Sequence, residues 1–356
     1  MPAIRKDGGN GVPAMEGSGM ATTTATLGVG IIGTGRVSGG HAKAVEQTPT
    51  TRLVAAADVD QGRVEQFARE HNCAPYTDYT ELLTRDDVDF VIIALPHWLH
   101  YGATVAAAAA KKHIFIEKPM AMTLDECDRM TEAAEANGVT IMVGHSEHFQ
   151  APNITARRIL HSGQIGDIVF ANDIWYKPFS VAMRPPWFLD RAQGGGMWQM
   201  NGAHMLDRIV WLMDSKVVTV KAWIGNPMVK QRADDSCAVM LDFASGTHAV
   251  FTHTGYAQDR EGERSEGEYL CTGGGLKVNS RMNAGVWVAT EHDYAPVPLD
   301  EVPGGSGFTG EINQFAASIL GGTPSPIGPE YARHIMDVLL AAEKSSETGR
   351  EVMIGR

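Results

Sequence analysis

The stretch KKHIFIEKPMAM, residues 111–122, places a carboxylate and an ammonium group where an apolar run ends. Glu117 and Lys118 directly follow this run, and Pro119 fixes the exit of the chain and disfavours helix at Lys118. In an open parallel sheet, ligands bind beyond the carboxyl ends of the strands. We therefore expect the charged pair to face a ligand crevice. The alternative is an ion pair on the rim of the sheet, which would contribute little to stability.

A second apolar run also ends in residues that could contact a ligand. It closes as ALPHWLH, which brings Pro96, His97 and His100 to the end of another predicted strand. Because the carboxyl ends of parallel strands meet at one edge of a sheet, these residues are expected to line the same crevice as Glu117 and Lys118.

A glycine-rich turn precedes both runs. The segment LGVGIIGTGRVSGGHAKAV is typical of a strand, a tight turn and a helix. In a dinucleotide-binding fold the first glycine permits the turn, and the second lets a pyrophosphate approach the backbone at a helix N-terminus. The pattern predicts cofactor contacts at Gly33, Gly35, Arg36 and Val37. A glycine turn that serves only steric needs is the alternative.

An acid follows the next predicted strand. Asp58 lies 25 positions after Gly33. A carboxylate there can accept hydrogen bonds from the ribose hydroxyls of NAD and would repel the 2′-phosphate of NADP. NAD is therefore the predicted cofactor. NADP is the less favoured alternative, which Arg63 leaves open because it lies close in sequence.

Alternating short apolar runs and amphipathic stretches position these residues. From residue 27 onward this alternation predicts βαβ units and a parallel sheet, hence a Rossmann domain over residues 27–148. Beyond it, predicted strands over 168–176, 217–224, 238–243 and 249–256 follow one another with little helix between most of them. Such a series predicts an α+β second domain over 149–356 with an open, mostly antiparallel sheet. Residues 1–26, rich in Gly, Pro, Ser and Thr, are predicted to form a disordered tail.

Composition argues against two kinds of partner. The 356 residues include 42 acidic and 30 basic side chains, for a net charge of −12, and no local Lys/Arg cluster reverses that charge. Such a surface repels nucleic acid and anionic lipid. The longest apolar runs fall short of a membrane span. We therefore predict neither nucleic-acid nor membrane binding, and a cytoplasmic protein.

Several motifs together resemble one known family. The glycine turn with its acid, ALPHWLH, FIEKPMAMT, GGGMWQMNGAHMLDRIVWLM and GPEYARHIMDVLLAAEKSSETGREV are similar to the glucose-fructose oxidoreductase and inositol dehydrogenase (Gfo/Idh/MocA) family over residues 27–354. The resemblance implies a Rossmann domain, then a domain whose open sheet often serves oligomerisation, so we expect a homodimer or homotetramer. It also implies that Lys118 and His204 flank the nicotinamide. Where the family commonly has an Asp four residues before the His, this chain has Met200, with Asn201 next.

The implied chemistry is hydride transfer between NAD and a secondary alcohol or ketone of a sugar, cyclitol or related ring. His204 is the natural base, because the pKa of an unperturbed imidazole lies near neutrality. Lys118 can donate a hydrogen bond to the substrate oxygen and can share proton transfer if burial lowers its pKa. Asn201 would orient the substrate as a neutral donor and acceptor. Asp207 is either a surface acid or a partner that fixes the imidazole.

Two further segments carry weaker signals. The loop 175–193 mixes aromatic residues with Lys177, Arg184 and Arg191, a combination that suits a sugar or cyclic polyol and makes Trp187 a candidate substrate contact. A packed, proline-rich connection fits equally well. In HSEH, residues 145–148, two histidines flank a carboxylate, but the spacing matches no strong zinc signature, so no metal is predicted.

Three other functions remain compatible with the sequence: a dihydrodiol dehydrogenase on aromatic substrates, an NAD-dependent glycoside-cleaving enzyme that regenerates its cofactor, and a nucleotide-sensing regulator without turnover. The presence of both Lys118 and His204 argues against the regulator. Met200 at the usual Asp position argues mildly for it.

Overall fold

The computed structural model describes residues 25–230, 232–256, 262–281, 284–291 and 293–355. Apart from its last two positions, the predicted disordered tail over residues 1–26 lies outside this part of the chain.

The first sheet is parallel and has six strands in the order β3-β2-β1-β4-β5-β6. Its elements are β1 Leu27–Ile32, α1 Ser38–Gln47, β2 Thr51–Ala57, α2 Gln61–His71, β3 Ala74–Tyr76, α3 Tyr79–Leu83, β4 Phe90–Ile93, α4 His100–Ala109, β5 His113–Glu117, α5 Leu124–Asn137 and β6 Ile141–Gly144. The strand order reverses between β1 and β4, so a crevice opens beyond their carboxyl ends. The predicted Rossmann fold is confirmed.

Local signals explain where the helices of this half begin and end. Thr123 caps α5, because its side chain accepts from the Glu126 amide while the Glu126 carboxylate accepts from the Thr123 amide. Gly138, in the left-handed conformation, ends that helix. Helix α4 begins at His100, because the 3₁₀ turn His97–Leu99 leads directly into it.

The second sheet has nine strands among the described residues, in the order β14-β13-β12-β11-β7-β10-β9-β8-β15. Its elements, with the helices around it, are α6 Ala151–Leu160, β7 Ile168–Pro178, α7 Ala203–Met213, β8 Val217–Gly225, β9 Ser236–Phe243, β10 His248–Tyr256, β11 Arg264–Cys271, β12 Gly274–Asn279, β13 Gly285–Ala289, β14 Ala295–Val297, α8 Phe308–Gly321, α9 Pro329–Thr348 and β15 Val352–Met353. Neighbouring strands are antiparallel except β7 and β10. The predicted open, mostly antiparallel sheet is thereby confirmed.

The last two helices return to the first half of the molecule. Helix α8 packs on α1, and its Ile312 and Phe315 share one core with Ile31 and Phe90 of the parallel sheet. Helix α9 packs on both α5 and β8, so it contacts both halves. Residues beyond the predicted boundary after residue 148 therefore complete the core of the parallel sheet.

A buried ion pair fixes α7 on the inner face of the second sheet. Arg208 of α7 is 2% exposed, and its Nε donates to Asp173 Oδ2 of β7 at 2.9 Å, while Nη2 donates to Asp173 Oδ1. Its Nη1 donates to Ser265 Oγ at 3.1 Å and Ser280 Oγ at 2.8 Å. Ser280 Oγ in turn donates to Glu147, just after β6, at 3.2 Å. One guanidinium therefore joins α7 to β7, β11 and the junction with the first sheet.

The outer face of the second sheet carries exposed apolar side chains. Val169, Trp223, Met240 and Leu270, on four different strands or strand ends, are about half exposed. No helix in the described part of the chain is long and apolar enough to cross a membrane.

We expect Arg208→Ala to destabilise the protein by roughly 3–5 kcal/mol, because it leaves the buried Asp173 carboxylate without its cation. The free energy of unfolding from urea titration measures this. Arg158→Ala is the matched control: Arg158 pairs with Asp300 at the surface, where loss of an ion pair costs less than about 1 kcal/mol. Equal losses for the two variants would contradict the structural role given to Arg208.

Candidate active site

The glycine turn after β1 leaves room for a ligand. Gly33 has a φ of +96°, and a Cβ there would lie 2.5 Å from the Ala94 carbonyl oxygen, so a side chain is excluded. A Cβ on Gly35 would meet no atom within 4 Å. Ser38, in the third glycine position, donates through Oγ to the Gly35 carbonyl at 2.6 Å. The N-terminus of α1 is thus open beside Gly35, which suits a pyrophosphate.

Arg36 and Val37, the other two predicted contacts of this turn, differ in burial. Arg36 is exposed, and Val37 is half-buried directly before the first residue of α1. Their backbone lies at the helix N-terminus, where an anion is favoured.

Asp58 lies beside that turn, directly after β2. Its Oδ2 accepts from the Thr34 amide at 2.9 Å and from Thr34 Oγ1 at 3.1 Å. Arg63 Nη1 also donates to Oδ2, at 3.1 Å, and the Arg63 side chain is 51% exposed. The Asp58 carboxylate is therefore fixed next to the glycine turn, and the exposed Arg63 side chain lies on its solvent side.

The two rim histidines contact backbone carbonyls. His97 Nδ1 lies 2.7 Å from the Gly194 oxygen of the second domain. His100 Nδ1 lies 3.0 Å from the Pro119 oxygen, and its Nε2 lies 2.9 Å from the Leu95 oxygen. Burial lowers the pKa of both imidazoles. Their observed contacts hold the turns around the half-buried Pro96 and link the domains.

Trp187, the predicted substrate contact, lies on the second domain at the same junction. Its ring centroid is 5.1 Å from that of His97 and 5.9 Å from that of Trp98. The neighbouring Phe188 belongs to a small core with Phe179 and Met197. The observed contacts of Trp187 are thus aromatic, with Phe188 and with the rim of the first domain.

Glu117 and Lys118 have different partners. Glu117 Oε1 lies 2.7 Å from Nε2 of the fully buried His41, on the first-domain side. Lys118, 5% exposed, donates through Nζ to the Met200 carbonyl at 2.8 Å and lies 3.1 Å from Met200 Sδ. Adjacent residues of an extended chain point in opposite directions, which explains the separation. The ammonium group therefore faces the second domain.

Burial determines the direction of the pKa shift at Lys118 but is outweighed at Glu117. It lowers the pKa of Lys118 to about 8, against the opposing charge of Glu117 and together with the charges of Lys177 and Arg281. Burial acts to raise the pKa of Glu117, but the hydrogen bond with His41 and the nearby cations outweigh it, so that pKa is lowered. Near neutral pH, Glu117 is a carboxylate and Lys118 is mostly protonated.

Met200, Asn201 and His204 lie on one continuous helical segment. A π-helical turn, Trp198–Gly202, leads directly into α7 and brings Met200 over Lys118. Asn201 is buried, and the ring of His204 lies 6.1 Å from that of Trp175. Burial and the charge of Lys118 hold the pKa of His204 well below its usual range, so its imidazole is neutral. Among the described residues, His204 Nδ1 has no hydrogen-bond partner.

Asp207 does not lie at the surface. It is fully buried, and its Oδ1 lies 2.8 Å from His148 Nε2 and accepts from the Tyr331 hydroxyl at 2.8 Å. His145 Nδ1 is 3.7 Å from the same oxygen. The Asp207 carboxylate thus contacts His148 directly and lies near His145. Sequence spacing could not reveal these contacts, because α7 and the turn after β6 are far apart in the chain.

Glu147, between those histidines, turns the other way. It accepts from Asn153 Nδ2 at 2.9 Å and pairs with Arg281. Within the described ranges, no group of three or more His, Cys, Asp or Glu side chains is arranged to hold a metal ion.

The arrangement can perform proton transfer beside a bound dinucleotide. An open helix N-terminus and Asp58 fit the two ends of the adenosine diphosphate moiety. A protonated lysine and a neutral histidine lie on facing elements at the same crevice, and the charge of the lysine helps to lower the pKa of the histidine. Interconversion of an alcohol and a carbonyl requires protein side chains that transfer a proton and donate a hydrogen bond to the oxygen. The lysine and the histidine can supply both.

Comparison with known proteins agrees with this geometry. Residues 27–145 match the model of the oxidoreductase family with an NAD-binding Rossmann fold. Residues 153–277 match the GFO/IDH/MocA C-terminal domain.

Three similar proteins are named as dehydrogenases or oxidoreductases. A 1-carboxy-3-chloro-3,4-dihydroxycyclohexa-1,5-diene dehydrogenase of Comamonas testosteroni is 33% identical over 207 residues, which span 58% of this chain and about half, 52%, of that relative. A scyllo-inositol 2-dehydrogenase (NAD(+)) of Bacillus subtilis (strain 168) is 26% identical over 91% of this chain and 95% of its own. An oxidoreductase from Agrobacterium radiobacter, solved with NAD+, L-tartaric acid and magnesium, shares the fold with a TM-score of 0.83 at 20% identity, over 93% of this chain and 99% of that one.

The two adjoining family models, the fold and the glycine turn lead to one conclusion. The chain belongs to the Gfo/Idh/MocA oxidoreductase family, and its first domain has that family's NAD-binding Rossmann fold.

Proposed function

We propose that the protein is an NAD-dependent dehydrogenase that oxidises a secondary alcohol of a sugar, cyclitol or related ring, or reduces the corresponding ketone. The observation that carries this proposal is the meeting of Lys118 from the first domain with the helix that bears His204 from the second. Both lie beyond the strand ends beside the glycine turn, where the nicotinamide of a bound dinucleotide would be expected.

In this proposal the two residues divide the proton chemistry. When bound, NAD supplies the hydride acceptor. His204, neutral because of burial, takes the hydroxyl proton of the substrate. Lys118, still protonated near neutral pH, donates a hydrogen bond to the oxygen as negative charge develops. The buried Asn201, one helical turn before His204, orients the substrate.

Met200 changes the environment of Lys118. A thioether and a carbonyl accept from the ammonium group, where the family commonly places a carboxylate. An Asp would stabilise the protonated lysine and raise its pKa. Met200 therefore leaves Lys118 easier to deprotonate than a carboxylate would, so the protonated form that donates to the substrate oxygen is lost at a lower pH.

A dihydrodiol dehydrogenase is the second candidate, and the name of the Comamonas testosteroni relative favours it. Cyclitols are favoured by the name of the Bacillus subtilis relative. The NADH absorbance of the protein with NAD and a panel of sugars, inositols and cyclic dihydrodiols separates these candidates. Product without net NADH would indicate a glycoside-cleaving enzyme, and no conversion of any member would count against the proposal.

We expect Lys118→Ala and His204→Ala each to lower turnover roughly 10²- to 10⁴-fold while the affinity for NAD stays almost unchanged. Both groups act on the substrate oxygen, so the double variant should be scarcely slower than the worse single one. Steady-state kinetics and NAD titration measure both effects. Near-normal turnover of Lys118→Ala would contradict a catalytic role for this ammonium group and leave it only a structural one.

The pH profile separates a catalytic from a structural lysine. Turnover of the unmodified enzyme should fall as pH rises through about 8, because Lys118 then loses its proton. Met200→Asp should move that fall to higher pH, since the added carboxylate stabilises the ammonium group. Met200→Leu, which adds no charge, is the control and should leave the fall near its original position.

We expect the protein to bind NAD more tightly than NADP through Asp58. Asp58→Ala should weaken NAD binding about ten- to hundredfold, because a charged hydrogen-bond acceptor for the ribose is lost. The difference between the affinities for NAD and NADP should therefore become smaller. Asp60→Asn is the control, since it removes a second carboxylate from Arg63 but keeps a capping side chain at the start of α2. Equal affinity of the unmodified protein for NAD and NADP would contradict the role in cofactor preference given to Asp58.

We also expect a homodimer or homotetramer formed through the outer face of the second sheet. Its half-exposed Trp223, Met240 and Leu270 lose water when they are covered by another copy. Light scattering at micromolar concentration measures the mass. Trp223→Lys with Met240→Lys should shift the assembly toward the monomer, and a monomeric unmodified protein would contradict the expectation.

A further inference from the structure

Two cations lie against one tryptophan next to the proposed base. Lys177 Nζ lies 4.7 Å from the ring centroid of Trp175, and Arg281 Cζ lies 4.6 Å from it. The same ring is 6.1 Å from the ring of His204 and is 4% exposed. Trp175 and Lys177 belong to β7, and Arg281 follows β12, so the second sheet fixes this arrangement.

The cations of this cluster exceed the carboxylates that pair with them. Arg281 pairs with Glu147. Across the described ranges, no carboxylate lies within 4.0 Å of Lys177 Nζ. The nearby Glu263 instead accepts from Trp175 Nε1 at 2.5 Å and acts on Lys177 only at longer range. Lys118 also lacks a carboxylate partner at that distance, since its ammonium group donates to Met200.

Lys177 and Lys118 are thus partly or fully removed from water without a paired anion. Burial, together with the charge of Arg281, lowers the pKa of each to about 8. An unpaired, desolvated cation is unfavourable, and a ligand anion that pairs with it relieves that cost. Neutral sugars and cyclitols offer no such anion.

We propose that the ring substrate carries a carboxylate, which Lys177 binds with Arg281 beside it, while its carbinol lies between Lys118 and His204. The Trp175 ring, which contacts both cations, keeps them next to His204. This inference rests on the proposed dehydrogenase function and specifies its substrate class.

The diphosphate of the cofactor is the competing anion for these cations. Arg184 and Lys177 both sense the charge of Arg36 in the glycine turn, and Arg184 lies 4.7 Å over Phe188, away from Trp175 and His204. Lys177 instead shares its tryptophan with His204. The geometry therefore assigns Lys177 to the substrate.

Binding to the NAD-loaded protein tests the inference directly. Calorimetry would compare D-glucuronate with D-glucose, and a 1-carboxylated cyclohexadiene cis-diol with the uncharged diol. We expect the carboxylate member of at least one pair to bind about ten- to hundredfold more tightly, as one charged hydrogen bond provides. Lys177→Met should abolish that difference, and Lys177→Arg should retain most of it. Lys277→Met, which removes an exposed lysine paired with Glu268 on the same sheet, should change nothing.

The outcomes separate this inference from the proposed function. Equal binding within every pair, or no measurable binding of any carboxylate probe, would overturn it. A tenfold loss of NAD affinity in Lys177→Met would also overturn it, because the lysine would then serve the cofactor. The enzyme could also oxidise neutral polyols in a Lys118-dependent way, with release of NADH and no preference for a carboxylate. In that case the dehydrogenase proposal stands, and only the proposal that the substrate carries a carboxylate is wrong.

Discussion

The arrangement of this protein depends on the burial of one guanidinium group. Arg208 cannot leave water without anions and acceptors, and Asp173, Ser265 and Ser280 supply them from the second sheet. This requirement leaves α7 few possible positions on the sheet. Because Met200, Asn201 and His204 lie on the same continuous helical segment, the ion pair also fixes the residues that face the first domain.

Contacts between the domains then position the crevice. Lys118 donates to the backbone of Met200, and His97 contacts the Gly194 carbonyl, so both strand ends of the parallel sheet are tied to the second domain. Gly194 has a φ of +79°, and a Cβ there would lie 2.7 Å from the His97 Cβ, so this close approach requires a glycine. Helices α8 and α9 add apolar contacts with the first half. The crevice is therefore formed by a continuous packed structure, in which neither half supplies the site alone.

Low exposure sets the ionisation of the crevice. Burial lowers the pKa values of His204 and Lys118, whereas the short contacts of Asp207 with His148 and Tyr331 outweigh burial and lower its pKa. A neutral imidazole, a weakly held lysine proton and a stable buried carboxylate thus coexist within one helix and the strand ends that it faces. Met200, where the family commonly has an Asp, leaves Lys118 without a carboxylate at that position. The aspartate of α7, Asp207, contacts His148 instead.

The sequence by itself determined the fold class and the positions of the glycine turn and its acid. The pattern of apolar runs predicted both sheets, and the four second-domain strands that it placed agree with the structure to within two residues at each end. The glycine turn was equally readable, since it depends on local conformation at Gly33 and open space at Gly35. Asp58 lay where strand length places it, directly after β2. Such features are encoded within a few neighbouring residues, so one sequence suffices to find them.

Only the tertiary structure decided which distant groups meet. Asp207 contacts His148 and Tyr331, which are 59 and 124 positions away, and Arg281 reaches Trp175 from the end of β12, two strands from β7 in the second sheet. The network of Glu147, Asp173 and Arg208 left no mark in spacing, because its members lie on different elements that pair across the sheet. The pKa values of Lys118, Lys177 and His204 likewise follow from burial and from charges brought together by packing. A pattern of residue types records local conformation, whereas long-range contacts and loss of water exist only once the chain is folded.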